Sequence, residues 1–176
     1  IKAIQDVGLA ATAKHFIGDG GTQQGIDQGD VNLSLDSLLR DHGTGYLAAI
    51  DNGVYSVMAS FNSWKGEKVH GNHEILTETL KEKFGFDGVL VSDWNGISQV
   101  KGCTNSSCPQ AINAGLDMVM VPELWYEFLQ NTVSQVKSGV ILESRIDDAV
   151  TRILRMKFKL GLFDRIKTSA RARTVV

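Results

Sequence analysis

The residues best suited to catalysis or ligand binding lie where apolar, strand-like segments end. Asp93 closely follows the run Val89–Val91 and is itself followed by Trp94. A carboxylate beside a covered strand is costly to bury for stability alone, so we expect Asp93 to do chemistry. The alternative is that Asp93 caps the turn that follows at Asn95-Gly96.

A second polar group ends an earlier apolar segment. Lys14 and His15 precede a glycine-rich run that contains Asp19. They predict either ligand binding or a structural pair that bonds a loop carboxylate such as Asp19. The glycine run lacks the Lys-Ser/Thr of a P-loop and the dinucleotide fingerprint, so phosphate binding is only a weak alternative.

The two cysteines, Cys103 and Cys108, flank four polar residues. This spacing favours a small disulfide loop over two free thiols or half of a metal site, and a redox motif would need two intervening residues. A disulfide would imply an oxidising compartment. The four histidines show no metal-ligand spacing, so neither a metal nor a cofactor is predicted.

Repeated strand and helix patterns must position these groups. Buried strands are predicted at residues 10–17, 54–61, 88–93 and 117–121, and their near-continuous apolar character favours a parallel sheet covered on both faces. Helices are predicted at residues 37–52, 72–84, 109–114, 123–137 and 144–160. In the last helix, Ile146, Val150, Ile153 and Leu154 predict one buried face. The alternation indicates an α/β fold whose site lies at the carboxyl ends of the strands.

Composition and charge limit the kinds of macromolecule or membrane that the chain can bind. The chain has 176 residues, of which 43% are hydrophobic and 22% charged, and its net charge is −2. We expect residues 1–164 to form one domain and residues 165–176 to form a basic, flexible tail. Because four of the basic residues lie in that tail, the body is more acidic and is a poor partner for nucleic acid or an anionic membrane. No apolar run is long enough to span a bilayer.

Five strings in order resemble glycoside hydrolase family 3. They are KHFIGDGGT at residues 14–22, VMASFNSW at 57–64, GVLVSDW at 88–94, NAGLDMVMVP at 113–122 and GLF at 161–163. The resemblance covers residues 11–163 and is strongest to the exo-β-glucan glucohydrolases and periplasmic β-glucosidases.

The resemblance implies a fold and a reaction. The fold is the C-terminal half of a (β/α)8 TIM barrel, with about four βα units. The reaction is hydrolysis of terminal β-D-glucosyl residues by a retaining β-glycosidase with Asp93 as nucleophile. A nearby lysine would favour the ionised carboxylate. The implied substrate-binding residues are Lys14, His15, Asp19, Met58, Phe61 and Trp94. Phe61 stands where relatives commonly have Tyr.

A retaining mechanism also needs an acid/base carboxyl about 5–5.5 Å from the nucleophile. In most of the family this glutamate comes from a second domain after the barrel, which we expect this chain to lack. Glu123 is the local candidate, with an acid at a helix N-terminus as the alternative reading. The N-acetylglucosaminidase branch carries an Asp-Ser-His loop, but residues 23–30 contain no histidine, which disfavours that branch. The alternative function is therefore a catalytically silent, sugar-binding half-barrel.

Two further expectations follow from a half-barrel of this family. Its open sheet edges should be covered by a second copy or by a complementing segment. The resemblance and the predicted disulfide together indicate a periplasmic or secreted protein that acts on a β-glucoside or an oligosaccharide.

Overall fold

The computed structural model describes residues 1–164, which form an α/β fold. The strands are β1 (Thr12–Phe16), β2 (Asp30–Val31), β3 (Ser56–Ala59), β4 (Ser63–Trp64), β5 (Glu67–Lys68) and β6 (Val89–Val91). β1, β3 and β6 form one sheet in the order β1-β3-β6, and both pairings are parallel. The predicted parallel sheet is therefore confirmed for its first three strands.

The fourth predicted strand, residues 117–121, is reduced to a single parallel bridge between Val91 and Met118. Side-chain bonding explains part of the difference. The Asp117 carboxylate accepts the backbone N–H of Leu90 at 2.9 Å, so a side chain takes a donor that a regular ladder would pair with a carbonyl.

A second small sheet was not predicted from the sequence. β2 pairs with β4 in parallel, and β4 pairs with β5 in an antiparallel hairpin. Lys65 and Gly66 form the hairpin turn with positive φ angles of 50° and 82°, which is typical of a two-residue turn that matches strand twist. Because each of these strands has two residues, no alternation of apolar and polar residues could reveal them.

All five predicted helices are present, most with shifted ends and the first of them as three consecutive helical segments, and a short helix at Lys2–Asp6 was not predicted. They span Lys2–Asp6, Leu35–Leu38, Leu39–Gly43, Thr44–Asp51, Glu74–Lys83, Pro109–Ala114, Trp125–Lys137 and Glu143–Lys159, with shorter helical turns at Asp19–Gly21, Gln23–Gly25, Val69–Gly71 and Gly96–Gln99. The first predicted long helix begins two residues early because the Ser34 hydroxyl accepts the N–H of Ser37. Gly53 takes the expected left-handed conformation at its end, with φ of 68°.

The core lies between the parallel sheet and the helices packed on it. Its largest fully buried apolar side chains come from both layers: Phe16, Ile17, Leu38, Ile75, Leu76, Leu80, Phe86, Leu90, Ile97, Leu116 and Ile141. An edge-to-face contact between Phe16 and Tyr46, with ring centroids 4.9 Å apart, joins β1 to the helix Thr44–Asp51. The core thus fixes the strand that carries Lys14 and His15.

The buried face predicted for the last helix is wrong at two positions. Val150 and Leu154 are 46% and 40% exposed, and Ala149 is the buried residue of Glu143–Lys159. The helix docks instead through a group of charged side chains, described next, so its apolar stripe is not covered by the residues that the structure describes.

This charged cluster, Lys81, Asp117, Arg145, Asp148 and Arg152, joins the last helix to the sheet. The Asp117 carboxylate is fully buried, lies 2.7 Å from the Lys81 ammonium and also bonds Arg145. Asp148 bonds Arg145 and receives a 2.9 Å bond from Arg152. Burial alone would raise the pKa of Asp148, but the bonds from Arg152 and Arg145 and the charge of Lys81 lower it to about 2.

The disulfide predicted between Cys103 and Cys108 is present, with Cα atoms 4.7 Å apart. Asn131 donates to the backbone carbonyl of Ser106 at 2.8 Å. The closed loop is therefore attached to the helix Trp125–Lys137.

Three findings concern the described residues as a set. Within residues 1–164, no helix combines the length and the apolar character needed to cross a membrane. The same residues contain no group of three or more His, Cys, Asp or Glu arranged to hold a metal ion. The basic tail predicted at residues 165–176 lies outside the described residues.

Candidate functional site

Asp93 lies just beyond the carboxyl end of β6, with its side chain 16% exposed. Its Oδ1 accepts the backbone N–H of Trp94 at 2.7 Å, and its Oδ2 lies 3.4 Å from Nε2 of His15. One carboxylate oxygen is thus held by the chain itself and the other faces a side chain of β1. A carboxylate oriented by two polar contacts can act as a nucleophile or bind a hydroxyl.

His15 joins two acids across the end of the sheet. Its Nδ1 lies 3.2 Å from Oδ2 of Asp19, while its Nε2 faces Asp93. The contact with Asp19 has hydrogen-bond geometry, whereas the contact with Asp93 lies within ion-pair distance. The structure thus shows the contact with Asp19 that was one reading of the sequence, and it also brings His15 to Asp93.

Lys14, His15 and Asp19 line an open pocket of about 270 Å³ together with His42, Tyr46 and two glycines. Burial raises the pKa of Tyr46 above its usual value, and the charge of Asp19 adds to this shift. The Tyr46 hydroxyl therefore stays protonated. Such a pocket offers cationic, anionic and neutral hydrogen-bonding groups, which is the mixture needed to hold a polyhydroxylated ligand.

The remaining predicted site residues lie on neighbouring strand ends. Trp94 is 57% exposed and can offer a ring face to a ligand. Met58 is half-buried in β3. Phe61 is also half-buried, and its ring centroid lies 5.7 Å from that of His70. Glu123 is exposed and accepts a 3.3 Å hydrogen bond from the side chain of Asn95, so the structure places it beside the turn that follows Asp93.

The sequence did not single out His70, which is 1% exposed and contacts the site directly. Its Nε2 accepts the backbone N–H of Asp93 at 2.9 Å. Burial lowers the pKa of His70 to about 4, against the opposing effect of the Asp93 charge. His70 follows β5, one of the strands too short to predict, so no periodic signal pointed to it.

Lys68 is a second residue that the sequence did not single out and that stabilises the backbone near the site. Its ammonium donates to the backbone carbonyls of Phe61 at 2.9 Å and Gln28 at 3.0 Å. Burial lowers the pKa of Lys68, while the nearby Asp30 carboxylate partly offsets this. The small sheet thus reaches the chain just beyond β3 through Lys68 and the chain just beyond β6 through His70.

Comparison with known proteins gives a consistent family relationship. Residues 1–156 match the model of the glycosyl hydrolase family 3 N terminal domain. A solved exo-1,3/1,4-β-glucanase from a Pseudoalteromonas species is 56% identical, with a TM-score of 0.89 over 91% of this chain and 20% of its own. A β-glucosidase from Listeria innocua, solved with isofagomine, is 30% identical, with a TM-score of 0.81 over 89% of this chain and 22% of its own.

A curated relative is similar over the same region. The periplasmic β-glucosidase of Salmonella typhimurium is 30% identical over 161 residues, which cover 89% of this chain and 21% of that protein. The chain therefore spans about a fifth of the length of these relatives.

Proposed function

The chain belongs to glycosyl hydrolase family 3, and from that premise we propose that it carries the nucleophile of a retaining β-glycosidase, Asp93. The observation that supports this most is the contact between Asp93 Oδ2 and His15 at the carboxyl ends of strands in one parallel sheet. Attack by this oxygen on an anomeric carbon would form a glycosyl-enzyme and release the aglycone. Water would then hydrolyse the ester and restore the carboxylate.

We propose a terminal β-D-glucosyl residue as the group that is transferred. The named activities of the relatives, β-glucosidase and exo-1,3/1,4-β-glucanase, support this substrate class. Lys14, His15 and Asp19 would bind sugar hydroxyls in the pocket beside β1, and the exposed ring of Trp94 would stack on a pyranose face. Met58 in β3 and Phe61 just beyond it would also contact the substrate.

The reaction also needs a second carboxyl, the acid/base. Glu123 is the local acid/base candidate because its bond to Asn95 places it beside the turn after Asp93. A leaving group that needs protonation would depend on this acid, whereas an activated aryl leaving group would not. Comparing the two substrates therefore tests the acid separately from the nucleophile.

The fold and the compartment are part of the same proposal. β1, β3, β6 and residues 117–121 would be four βα units of a (β/α)8 barrel, with residues 1–164 as the catalytic domain. Among residues 1–164, β1 is an edge strand of its sheet and the apolar stripe at Val150 and Leu154 is exposed; a second copy or another segment of a barrel would cover both. The disulfide supports a periplasmic or secreted location.

Covalent trapping tests the nucleophile. A 2-fluoro-β-glucoside with a good leaving group should add one fluoroglucosyl mass to the folded protein, and peptide mapping should place it on Asp93. Asp93→Asn should remove the adduct. Asp87→Asn should not, because Asp87 is exposed and precedes the amino end of β6, opposite the end that carries Asp93. A folded sample without an adduct, or with an adduct on another residue, would contradict the assignment. Glucose binding without an adduct would favour the silent, sugar-binding alternative.

A further inference from the structure

We propose that His70 is a positioning residue for Asp93: its neutral imidazole accepts the Asp93 backbone N–H and thereby sets where the carboxylate lies. The reactive role of Asp93 rests on the function proposed above, but the hydrogen bond does not. Through His70, the small sheet contributes to the position of Asp93, which neither the sequence nor the family relationship indicated.

The imidazole is built into the molecule rather than free to move. His70 lies in the helical turn Val69–Gly71, directly after β5, and it is 1% exposed. Nε2 accepts the Asp93 N–H at 2.9 Å, and the ring also hydrogen-bonds to the backbone of Ser60. These contacts connect the hairpin to the chain beyond both β3 and β6. The ring therefore has one orientation that satisfies both partners.

The turn after Asp93 is shaped to fit this ring. A Cβ atom on Gly96 would lie 2.5 Å from Nε2 of His70, closer than atoms can approach. The Gly96 N–H donates to the Asp93 carbonyl at 3.1 Å, and Asn95 between them has φ of 55°, a left-handed conformation that asparagine tolerates better than most residues. The backbone from Asp93 to Gly96 thus closes around the imidazole.

The acceptor role requires an unprotonated Nε2, since imidazolium has donors only. Two charged side chains act on the ring: Asp93 favours protonation and Lys68 opposes it. The remaining partners are the Ser60 backbone and the ring of Phe61. Burial outweighs the Asp93 charge, so the ring stays an acceptor at neutral pH.

Positioning of this kind affects rate more than binding. The nucleophilic oxygen must lie close to the anomeric carbon and in line with the leaving group, and a displacement of about 1 Å can cost on the order of 10²-fold in rate. Because Asp93 is held at its backbone by His70, loss of that bond would move the carboxylate while leaving the sugar-binding side chains of β1 in place.

Two measurements test the proposal. In uniformly nitrogen-15-labelled protein, a scalar coupling across the hydrogen bond should link the Asp93 amide nitrogen to Nε2 of His70. In trapping experiments, His70→Ala should lower the rate constant of inactivation on the order of 10²-fold without changing the half-saturating concentration. His70→Gln, whose amide oxygen can accept the same N–H, should recover part of the rate. Gly96→Ala should reproduce the loss from the other side of the contact.

His73→Gln is the matched control because His73 is exposed and bonds Glu78 instead; it should behave like the unmodified protein. Absence of the coupling would overturn the proposal, and so would unchanged inactivation in folded His70→Ala and Gly96→Ala proteins. If the unmodified protein shows the coupling but forms no adduct, the proposed function fails and the hydrogen bond stands. The two failures are therefore distinguishable.

Discussion

The buried imidazole of His70 should make stability depend on pH in a defined window. Its pKa falls from 6.5 in the unfolded chain to about 4 in the folded protein. Between these values the unfolded state binds a proton that the folded state does not, so the free energy of unfolding falls as the pH is lowered. The contribution of the neutral ring is fully present above the unfolded pKa and is lost as the pH falls to the folded one.

The size of the loss follows from the shift. Each pKa unit corresponds to about 1.4 kcal/mol, so a shift of this size corresponds to about 3 kcal/mol at the acid end of the window. That is a large part of the net stability of an ordinary domain. The ring is almost fully buried, so solvent screening reduces this value little.

Urea unfolding followed by tryptophan fluorescence measures the effect at a series of pH values across the window. His70→Gln removes the titrating group and should flatten the curve between the two pKa values, whereas His73→Gln should keep the slope of the unmodified protein. Asp148 contributes a separate pH dependence at more acidic pH, because its pKa is lowered from 3.8 to about 2. Its stabilising effect is present above its unfolded pKa and is lost only as the pH falls through the lower value. Parallel curves for His70→Gln and the unmodified protein would refute the reasoning.

Three substitutions test other parts of the structure by urea unfolding. Asp117→Asn leaves the buried cations Lys81 and Arg145 without their shared carboxylate and should lower the free energy of unfolding by about 3–5 kcal/mol. Asp147→Asn should change it little, because Asp147 is exposed. Equal effects of the two substitutions would contradict the role of the buried cluster. Cys103→Ser opens a short loop and should cost about 2 kcal/mol, and reduction of the unmodified protein should match it. Gly115→Ala should be destabilising because φ is +124° and a Cβ would lie 2.6 Å from a threonine hydroxyl; a neutral effect would contradict that geometry.

The fold was predictable where the pattern of side chains extends over several residues. The apolar segments at residues 10–17, 54–61 and 88–93 indicated the parallel sheet because a strand covered on both faces needs continuous apolar side chains. The fourth segment satisfied the same pattern, but the buried Asp117 carboxylate bonds the Leu90 N–H and leaves one bridge. A pattern of hydrophobicity does not show which backbone groups a side chain will bond.

The apolar stripe of the last helix shows a second limit. Its spacing predicted which residues share a face, and Val150 and Leu154 do share one, yet both are exposed. The helix docks through Arg145 and Arg152, whose guanidinium groups reach backbone carbonyls and acidic side chains. Periodicity identifies a face, but what covers that face depends on the tertiary contacts.

At the site, residue types identified the reactive group better than its support. Asp93 was singled out because a carboxylate at the end of an apolar strand needs a reason, and the sheet then brought His15 to it. His70 had no such signal. It lies between Val69 and Gly71, just after a strand of only two residues, where neither periodicity nor a known motif marks a histidine as functional.

The small sheet gives these separate facts one physical explanation. A carboxylate at a strand end has a position set by its backbone, and a strand end has no further ladder partner to hold it. Lys68 supplies a donor to the carbonyl of Phe61 beyond β3, and His70 supplies an acceptor for the N–H of Asp93 beyond β6. The hairpin and the turn that follows it thus bond backbone groups just beyond the ends of β3 and β6. We therefore expect changes in the hairpin to alter the geometry at Asp93 even though they leave every strand of the parallel sheet intact.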